Sequence, residues 1–338
     1  MPPRPTKGRP FYSEDISPQK EEDVRHMRWV GFVTLVGQQG GNYRPRVATP
    51  AAYGGFSDIW QCDARFFDGS VSVVAVKKLR AVQLPTGLDK PQTTKKLLQR
   101  LKRELQIWMR FDHPNVAPLL GFTFNQEIAI ISPWFGNGNV SEYLRAHPEV
   151  NRLKLVQGVA SGLAYLHSST PVIVHGDVKP DNVLIDKWGG PRIIDFGLSK
   201  LVEEDPSLSS LQTTSLRDAG NARWMAPELL FRGGGSRSRQ TDMFSLACVA
   251  FFILSGDVPF KGILDAQLVI ARYEGAHPFL DGVVYPNLGV DAPSMGALQS
   301  CLDRDPNARP KIGDTPELRS DEEVLDVLSC IVAKNPPS

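Results

Sequence analysis

Apolar and polar positions alternate in short runs through the early part of the chain and take helical spacing further on. Residues 71–77 read Val-Ser-Val-Val-Ala-Val-Lys after an Asp68-Gly69 turn signal, which predicts a strand. Upstream, Tyr53-Gly54-Gly55-Phe56-Ser57-Asp58-Ile59-Trp60 joins two strand-like runs, and residues 128–132 predict one more strand. From 94 to 111 the apolar residues Leu97, Leu98, Leu101, Leu105 and Trp108 predict a helix, as do Leu155, Val156, Val159, Leu163 and Leu166 within 151–167. Residues 243–254 are apolar all round. That run of about twelve residues is too short to span a bilayer and predicts a buried helix. Ser320 and Glu323 make a capping-box pattern ahead of a last helix over 324–332. Val172-Ile173-Val174 and Val183-Leu184-Ile185 bracket a polar stretch, which reads as a loop between two short buried strands.

Composition adds limits. The 338 residues suffice for one large domain or two lobes. Hydrophobic content of 41% and charged content of 22% suit a soluble globular chain, and a net charge of +1 gives no field for nucleic acid or an anionic membrane. Four cysteines (Cys62, Cys248, Cys301, Cys330) lie far apart without metal-ligand spacing, so a reducing, intracellular and cytoplasmic setting is expected. The first ten residues are basic and proline-rich and do not read as a signal peptide. Residues 1–44 are expected to be a largely disordered extension, with the apolar patch 29–36 docking on the folded body 45–338.

Candidate chemistry gathers in the polar stretch His175-Gly-Asp-Val-Lys-Pro-Asp-Asn182. It carries a proton acceptor (Asp177), a fixed cation (Lys179) and a neutral oxygen ligand (Asn182). Asp195-Phe196-Gly197 follows after Ile193-Ile194. Two carboxylates, an amide and a lysine on adjacent loops suit a site that holds Mg²⁺ and moves a phosphoryl group. Each loop alone reads equally as an ordinary polar turn. The glycine-rich hairpin at 54–55 can lay backbone N–H groups over phosphates, although it too reads as a plain hairpin in isolation. Lys77 ends an apolar strand and either emerges into solvent or aims at a buried anion. The next helix bears on that choice: Leu97, Leu101, Glu104 and Trp108 share one line, so Glu104 sits within the apolar stripe and needs a cation. Lys77 is its candidate partner.

With these residues in order, the chain resembles a eukaryotic protein kinase from about Ala52 to Pro310. The resemblance is carried by Val74-Ala-Val-Lys77, Glu104, the His175 loop, Asp195-Phe-Gly, Ala226-Pro-Glu228, Asp242 and Arg309. Trp224-Met-Ala-Pro-Glu and Cys301-Leu-Asp-Arg-Asp-Pro306 most resemble the tyrosine-kinase-like group of serine/threonine kinases. The resemblance implies an α+β fold of two lobes: a small β-rich lobe with one main helix over 45–135 and a larger, mainly helical lobe over 136–338. It implies ATP and Mg²⁺ as cofactors and a protein Ser or Thr hydroxyl as acceptor. The nucleotide is expected against Gly54, Gly55, Ser57, Ile59, Ala75, Lys77, Ser132 (the gatekeeper), Pro133, Phe135 and Leu184. Asn182 and Asp195 are expected to hold the metal, and Asp177, Lys179, Lys77 and Glu104 to serve the transfer. Glu228 and Arg309 are expected to pair, Asp242 to hold the catalytic loop backbone, and residues 195–228 to form the activation segment, with Ser207, Ser209, Thr213, Thr214 and Ser215 as candidate phosphosites.

Four positions depart from the family pattern. Ala52 and Ser57 stand at two phosphate-loop glycines, Gly176 replaces the usual arginine beside the catalytic aspartate, and Asn221 stands for a threonine. The amide of Asn221 can still bond Asp177 and Lys179, and without an arginine at 176 the activity is expected to depend little on phosphorylation, with Arg217 or Arg223 as the alternative phosphate receptors. His-Gly-Asp with Asn five residues on is also a signature of small-molecule kinases, but Lys179 and Ala-Pro-Glu228 are not. A catalytically silent pseudokinase acting as a scaffold is the other alternative. A regulatory partner is expected, if anywhere, at the N-terminal extension.

Overall fold

The computed structural model describes residues 33–34, 44–53, 57–66, 71–79, 105, 108–123, 129–196, 221–230, 235–278 and 292–310. Its strands are β1 (Val33–Thr34), β2 (Arg44–Pro45), β3 (Ala52–Tyr53), β4 (Ser57–Phe66), β5 (Val71–Leu79), β6 (Gly121–Thr123) and β7 (Ala129–Pro133), with β8 (Val183–Ile185) and β9 (Pro191–Ile193) further on. The helices are α1 (Val140–Ala146), α2 (Arg152–Ser168), α3 (Arg239–Ser255), α4 (Asp265–Tyr273) and α5 (Ala292–Cys301). The fold is two-lobed, a sheet followed by a helical body.

The first seven strands make one antiparallel sheet in the order β1-β4-β5-β7-β6, with β2 and β3 also on β4. Side chains two apart share a face. Cys62 and Ala64 of β4, Val74 and Val76 of β5, and Ala129 and Ile131 of β7 close a small core on one face. Ala75 and Lys77 therefore point to the other face, where Ile130 and Leu79 join the main core. The register sets Ala75 opposite Ser132, and Lys77 opposite both Ile59 and Ile130. The strand alternation in the sequence thus places Lys77 on the side facing the helical lobe.

In the helical lobe α3 is the central element. Thirteen of its seventeen residues are buried, the expected state of a helix apolar all round. Ser238 caps its start reciprocally with Thr241, and Gly256, at φ +82°, ends it in the left-handed conformation that glycine accepts without strain. Helix α2 packs against α3 and β9. A Cβ at Gly162 would lie 2.6 Å from the carbonyl oxygen of Asn115, so only glycine permits this approach to the turn after residue 113.

One expectation is corrected. Residues 172–174 form no strand: Val172 is exposed, while Ile173 and Val174 are buried and Ile173 donates its N–H to the carbonyl of Leu166 at the end of α2. The segment is held by a helix end, and no strand among the described residues pairs with it. The loop does lead into a strand, β8, as expected. Cys62, Cys248 and Cys301 are buried free thiols, each pushed up to about 12 chiefly by burial. No helix among the described residues is long and apolar enough to cross a membrane. The final helix at 324–332 lies outside the described residues.

Candidate active site

The loop between the end of α2 and β8 is hung from one carboxylate. Asp242, buried on α3, accepts the N–H of His175 on Oδ2 and that of Gly176 on Oδ1, both at 2.8 Å. His167, at the end of α2, places Nε2 2.8 Å from the same Oδ2. From the other side Arg237, just before α3, donates its Nε–H to the carbonyl of Gly176 at 2.8 Å. Gly176 has φ +76°, a conformation that costs side-chain-bearing residues energy and glycine little. Both peptide groups of residue 176 are therefore fixed immediately before Asp177.

Asp177 donates its N–H to His175 Nδ1 at 3.2 Å, which leaves the ring proton on Nε2. Full burial pushes His175 below its ordinary value, so the ring is neutral; Asp242, Asp177 and Asp195 oppose that shift without overcoming it. On the Asp177 carboxylate, Oδ2 receives Asn182 Nδ2 at 3.0 Å and Lys179 Nζ at 2.9 Å. Asn182 Nδ2 also bonds the Asp177 carbonyl at 2.7 Å. Among the described residues both side-chain bonds to this carboxylate fall on Oδ2, which orients Oδ1 for a further donor. The amide of Asn182, turned so that nitrogen meets Asp177, presents its oxygen the other way, as a hard cation ligand requires.

Asp195 is carried by the same framework. The N–H of Ile194 bonds the carbonyl of Asn182 at 3.0 Å, joining the two loops through backbone. Asp195 has φ +61°, uncommon for a residue with a side chain, and its Oδ2 lies 2.5 Å from Lys77 Nζ. Backbone held in that region is a frequent mark of a functional position. Phe196 turns inward, edge-on to Trp108 with centroids 4.7 Å apart and near Phe111 and His175. Packing thus ties the helical positions Leu105 and Trp108 to the loop that carries Asp195.

Asp177, Lys179, Asn182, Asp195 and Lys77 are brought together, each carboxylate beside one lysine. Ala75 faces Ser132 across β5 and β7, Pro133 ends β7, and Leu184 of β8 bridges Asn139, the cap of α1. Ile59 and the buried Ser57 line β4 beside Lys77. Phe135 follows β7, its carbonyl taking the N–H of Gly138. Gly54, Gly55 and Glu104 lie outside the described residues, as do Arg217 and the phosphosites from Ser207 to Ser215. Further down, Arg309 holds Glu228 through two bonds, Nη1–Oε1 at 2.7 Å and Nη2–Oε2 at 2.9 Å, with the arginine side chain fully buried. That bidentate pair fastens Ala226-Pro227-Glu228 to the helical lobe.

Sequence reasoning missed several contributors. His167 ends the amphipathic run 151–167 and Arg237 lies in a Gly/Ser-rich stretch, and neither position carries a sequence signal of its partner. Arg223, expected as a spare cation, bonds Asp265 and the carbonyls of Pro259, Phe260 and Ile263. Arg272 is buried on α4 one turn after Leu268, a charge on an apolar face like that of Glu104, and the same reasoning applied there would have found it.

Comparison with known proteins agrees with this geometry. The chain is 28% identical over 219 residues to a serine/threonine-protein kinase/receptor of Acanthamoeba polyphaga mimivirus, covering 63% of this chain and 13% of the relative. It is 28% identical over 250 residues to the mitogen-activated protein kinase kinase kinase MST11 of Pyricularia oryzae (72% and 26%). It is 29% identical over 244 residues to the serine/threonine-protein kinase drkC of Dictyostelium discoideum (70% and 30%). The match therefore spans between about an eighth and a third of these relatives. A family model described as protein kinase domain matches residues 54–319, and with the paired loops, the Glu228–Arg309 bridge and the two lobes, the chain belongs to the protein kinase domain family.

Proposed function

We propose that the chain transfers the γ-phosphoryl group of ATP to a serine or threonine hydroxyl of a protein. The observation that carries this is the convergence of Asp177, Lys179 and Asn182 on one loop, beside the Lys77–Asp195 pair on the next. The substrate hydroxyl oxygen attacks the γ-phosphorus while Asp177 takes its proton. The bond between that phosphorus and the β–γ bridging oxygen breaks, and ADP departs with the electron pair. Lys179, already against Asp177, steadies the transferring group, and Lys77 meets the nucleotide's phosphates. Asp195 and the oxygen of Asn182 would hold Mg²⁺, which neutralises phosphate charge when bound. No cluster of three or more His, Cys, Asp or Glu exists among the described residues, which fits an ion shared with phosphates and not caged by protein. On the nucleotide side, Ala75, Ser132 and Leu184 supply an apolar slot, with Pro133 and Phe135 offering backbone groups to the base.

Lys179 two residues after Asp177, and the names of the relatives, support Ser/Thr specificity, while Trp224-Met-Ala-Pro-Glu and Cys301-Leu-Asp-Arg-Asp-Pro306 support placement in the tyrosine-kinase-like group. A regulatory partner at residues 1–44 and a cytoplasmic setting belong to the same proposal. The test is transfer of labelled phosphate from Mg·ATP to a generic protein substrate, followed by phosphoamino-acid analysis. Thermal stabilisation by Mg·ATP without transfer indicates a scaffold, transfer to small hydroxyl compounds alone indicates a small-molecule kinase, and phosphotyrosine refutes the specificity.

A further inference from the structure

Arg272 is buried at a position where an apolar residue would pack. It sits in the last turn of α4 with 3% exposure, one helical turn after the fully buried Leu268. Its guanidinium lies over the rings of Phe260 and Phe244, at 4.8 and 5.2 Å. Nη1 donates to the carbonyl of Ala222, while Nη2 is buried with no hydrogen-bond partner. No carboxylate bonds it among the described residues. A cation in such surroundings is destabilising by several kcal/mol against a well-packed apolar side chain. Burial draws the group down to about 10, which leaves it charged at neutral pH. Stability gives no reason for an arginine here, and residues that cost stability concentrate where function needs them.

The bond that Arg272 makes among the described residues has a counterpart running the other way. Arg223, in the same short turn as Ala222, reaches back to the start of α4 and the loop before it. It bonds Asp265 through Nε at 2.8 Å and Nη2 at 2.6 Å, and the carbonyls of Pro259, Phe260 and Ile263 at 2.7–3.1 Å. Phe260, whose carbonyl is among these, has φ +57°, a strained conformation for an aromatic residue. The turn Asn221–Arg223 is thus locked from both sides: an arginine of the turn holds α4 and its approach, and an arginine of α4 holds the turn.

We infer that Arg272 and Arg223 form a reciprocal latch that positions the 221–223 turn for the acceptor protein, so that Arg272 is a positioning residue for the phosphoryl acceptor. The inference rests on the protein-kinase reading above. The turn closes the long segment that begins at Asp195, and it adjoins Ala226-Pro-Glu228. Its latch contacts lie wholly in the helical lobe, on 259–265 and α4, remote from β4, β5 and β7, which carry the nucleotide-side residues. Holding the Ala222 carbonyl also fixes the 222–223 peptide, one residue on from Asn221, the residue expected to reach Asp177 and Lys179. Releasing the latch should therefore weaken use of the acceptor and spare the nucleotide.

The experiment replaces Arg272 by methionine, similar in length and apolar, in the full chain. Expected are an unchanged or raised Tm, a fall of about tenfold in kcat/KM for a protein substrate carried mainly by KM, and a KM for Mg·ATP and acceptor-free ATP hydrolysis within about twofold of the parent. R272K restores a donor to the Ala222 carbonyl and should recover most of the loss. D265N, on a half-exposed side chain, releases the opposite arm and should reproduce the KM effect in part. Unchanged acceptor kinetics in R272M and D265N overturn the latch. So does an equal loss of acceptor phosphorylation and ATP hydrolysis with a lowered Tm, since that marks a merely structural role. Absence of protein phosphorylation by the unsubstituted chain instead overturns the reading on which the latch rests, and the latch with it.

Discussion

Arg237 donates its Nε–H to the carbonyl of Gly176 at 2.8 Å, one residue before Asp177. The position beside Asp177 thus carries no side chain of its own, while a guanidinium from the approach to α3 braces its backbone. Asp242 holds the N–H of the same residue, so the loop is fixed from both sides by groups that need no modification.

That arrangement bears on phosphorylation. A phosphate on the 195–228 segment gains most from a bidentate arginine, and residue 176 offers none, while Arg223 already bonds Asp265 and three carbonyls. We expect kcat/KM to change less than about tenfold, roughly 1.4 kcal/mol, on complete phosphatase treatment verified by mass spectrometry. A larger loss would mean that another cation receives the phosphate. Arg237 is then the candidate, and R237A should abolish the difference between treated and untreated enzyme.

Asp195→Asn should abolish transfer, because an amide cannot replace a carboxylate that meets Lys77 and is proposed to hold the metal. Activity above about a tenth of the parent's would contradict its assignment as metal ligand, since such interactions are worth orders of magnitude.

Lys77 sits 2.5 Å from Asp195, so it touches the site directly, and Glu104 would act only through it. Glu104→Gln should therefore cost less activity than Lys77→Met, and the double variant should be no worse than Lys77→Met alone. Losses that multiply would show that Glu104 works independently of Lys77.

Ser132 faces Ala75 across two strands, two small side chains at the back of the proposed nucleotide slot. Purine inhibitors with bulky substituents should bind the unmodified enzyme, and Ser132→Phe should block them while ATP is still used. Inhibition that is the same in both proteins would place the controlling residue elsewhere.

Acid should destabilise the fold through two histidines. His113 is pushed down to about 4, first by burial and then by Arg192, with Asp112 opposing; buried His175 is also lowered. Both are neutral when folded and take up protons more readily when unfolded. The unfolded state therefore binds more protons below the ordinary value near 6.5, and stability falls as pH drops from there toward 4. Tm measured between pH 8 and 4.5 should be nearly flat to about 6.5 and then decline, with a shallower decline in His113→Asn. An identical decline in that variant would remove His113 from the cause.

Much of the site was legible because its residues are local in sequence. Asp177, Lys179 and Asn182 fall within six positions, and a short loop between an apolar segment and a strand leaves them little choice but to converge. The strand of Val74, Val76 and Lys77 was equally plain, since a period of two assigns each side chain to a face. The expected strand at 172–174 failed because an apolar run names burial but not the partner, and here the partner is a helix end. By itself the sequence determined the lobes, the order of the motifs, and which residues can carry a proton, a phosphate or a metal. Tertiary structure alone decided that Asp242 gathers His167, His175 and Gly176 on one carboxylate, that Arg237 braces the glycine before Asp177, and that Arg223 and Arg272 lock one turn from both sides. These are contacts between residues some 36 to 75 positions apart. They depend on how α2, α3 and α4 pack, and side-chain pattern along a single element cannot encode the distance to another.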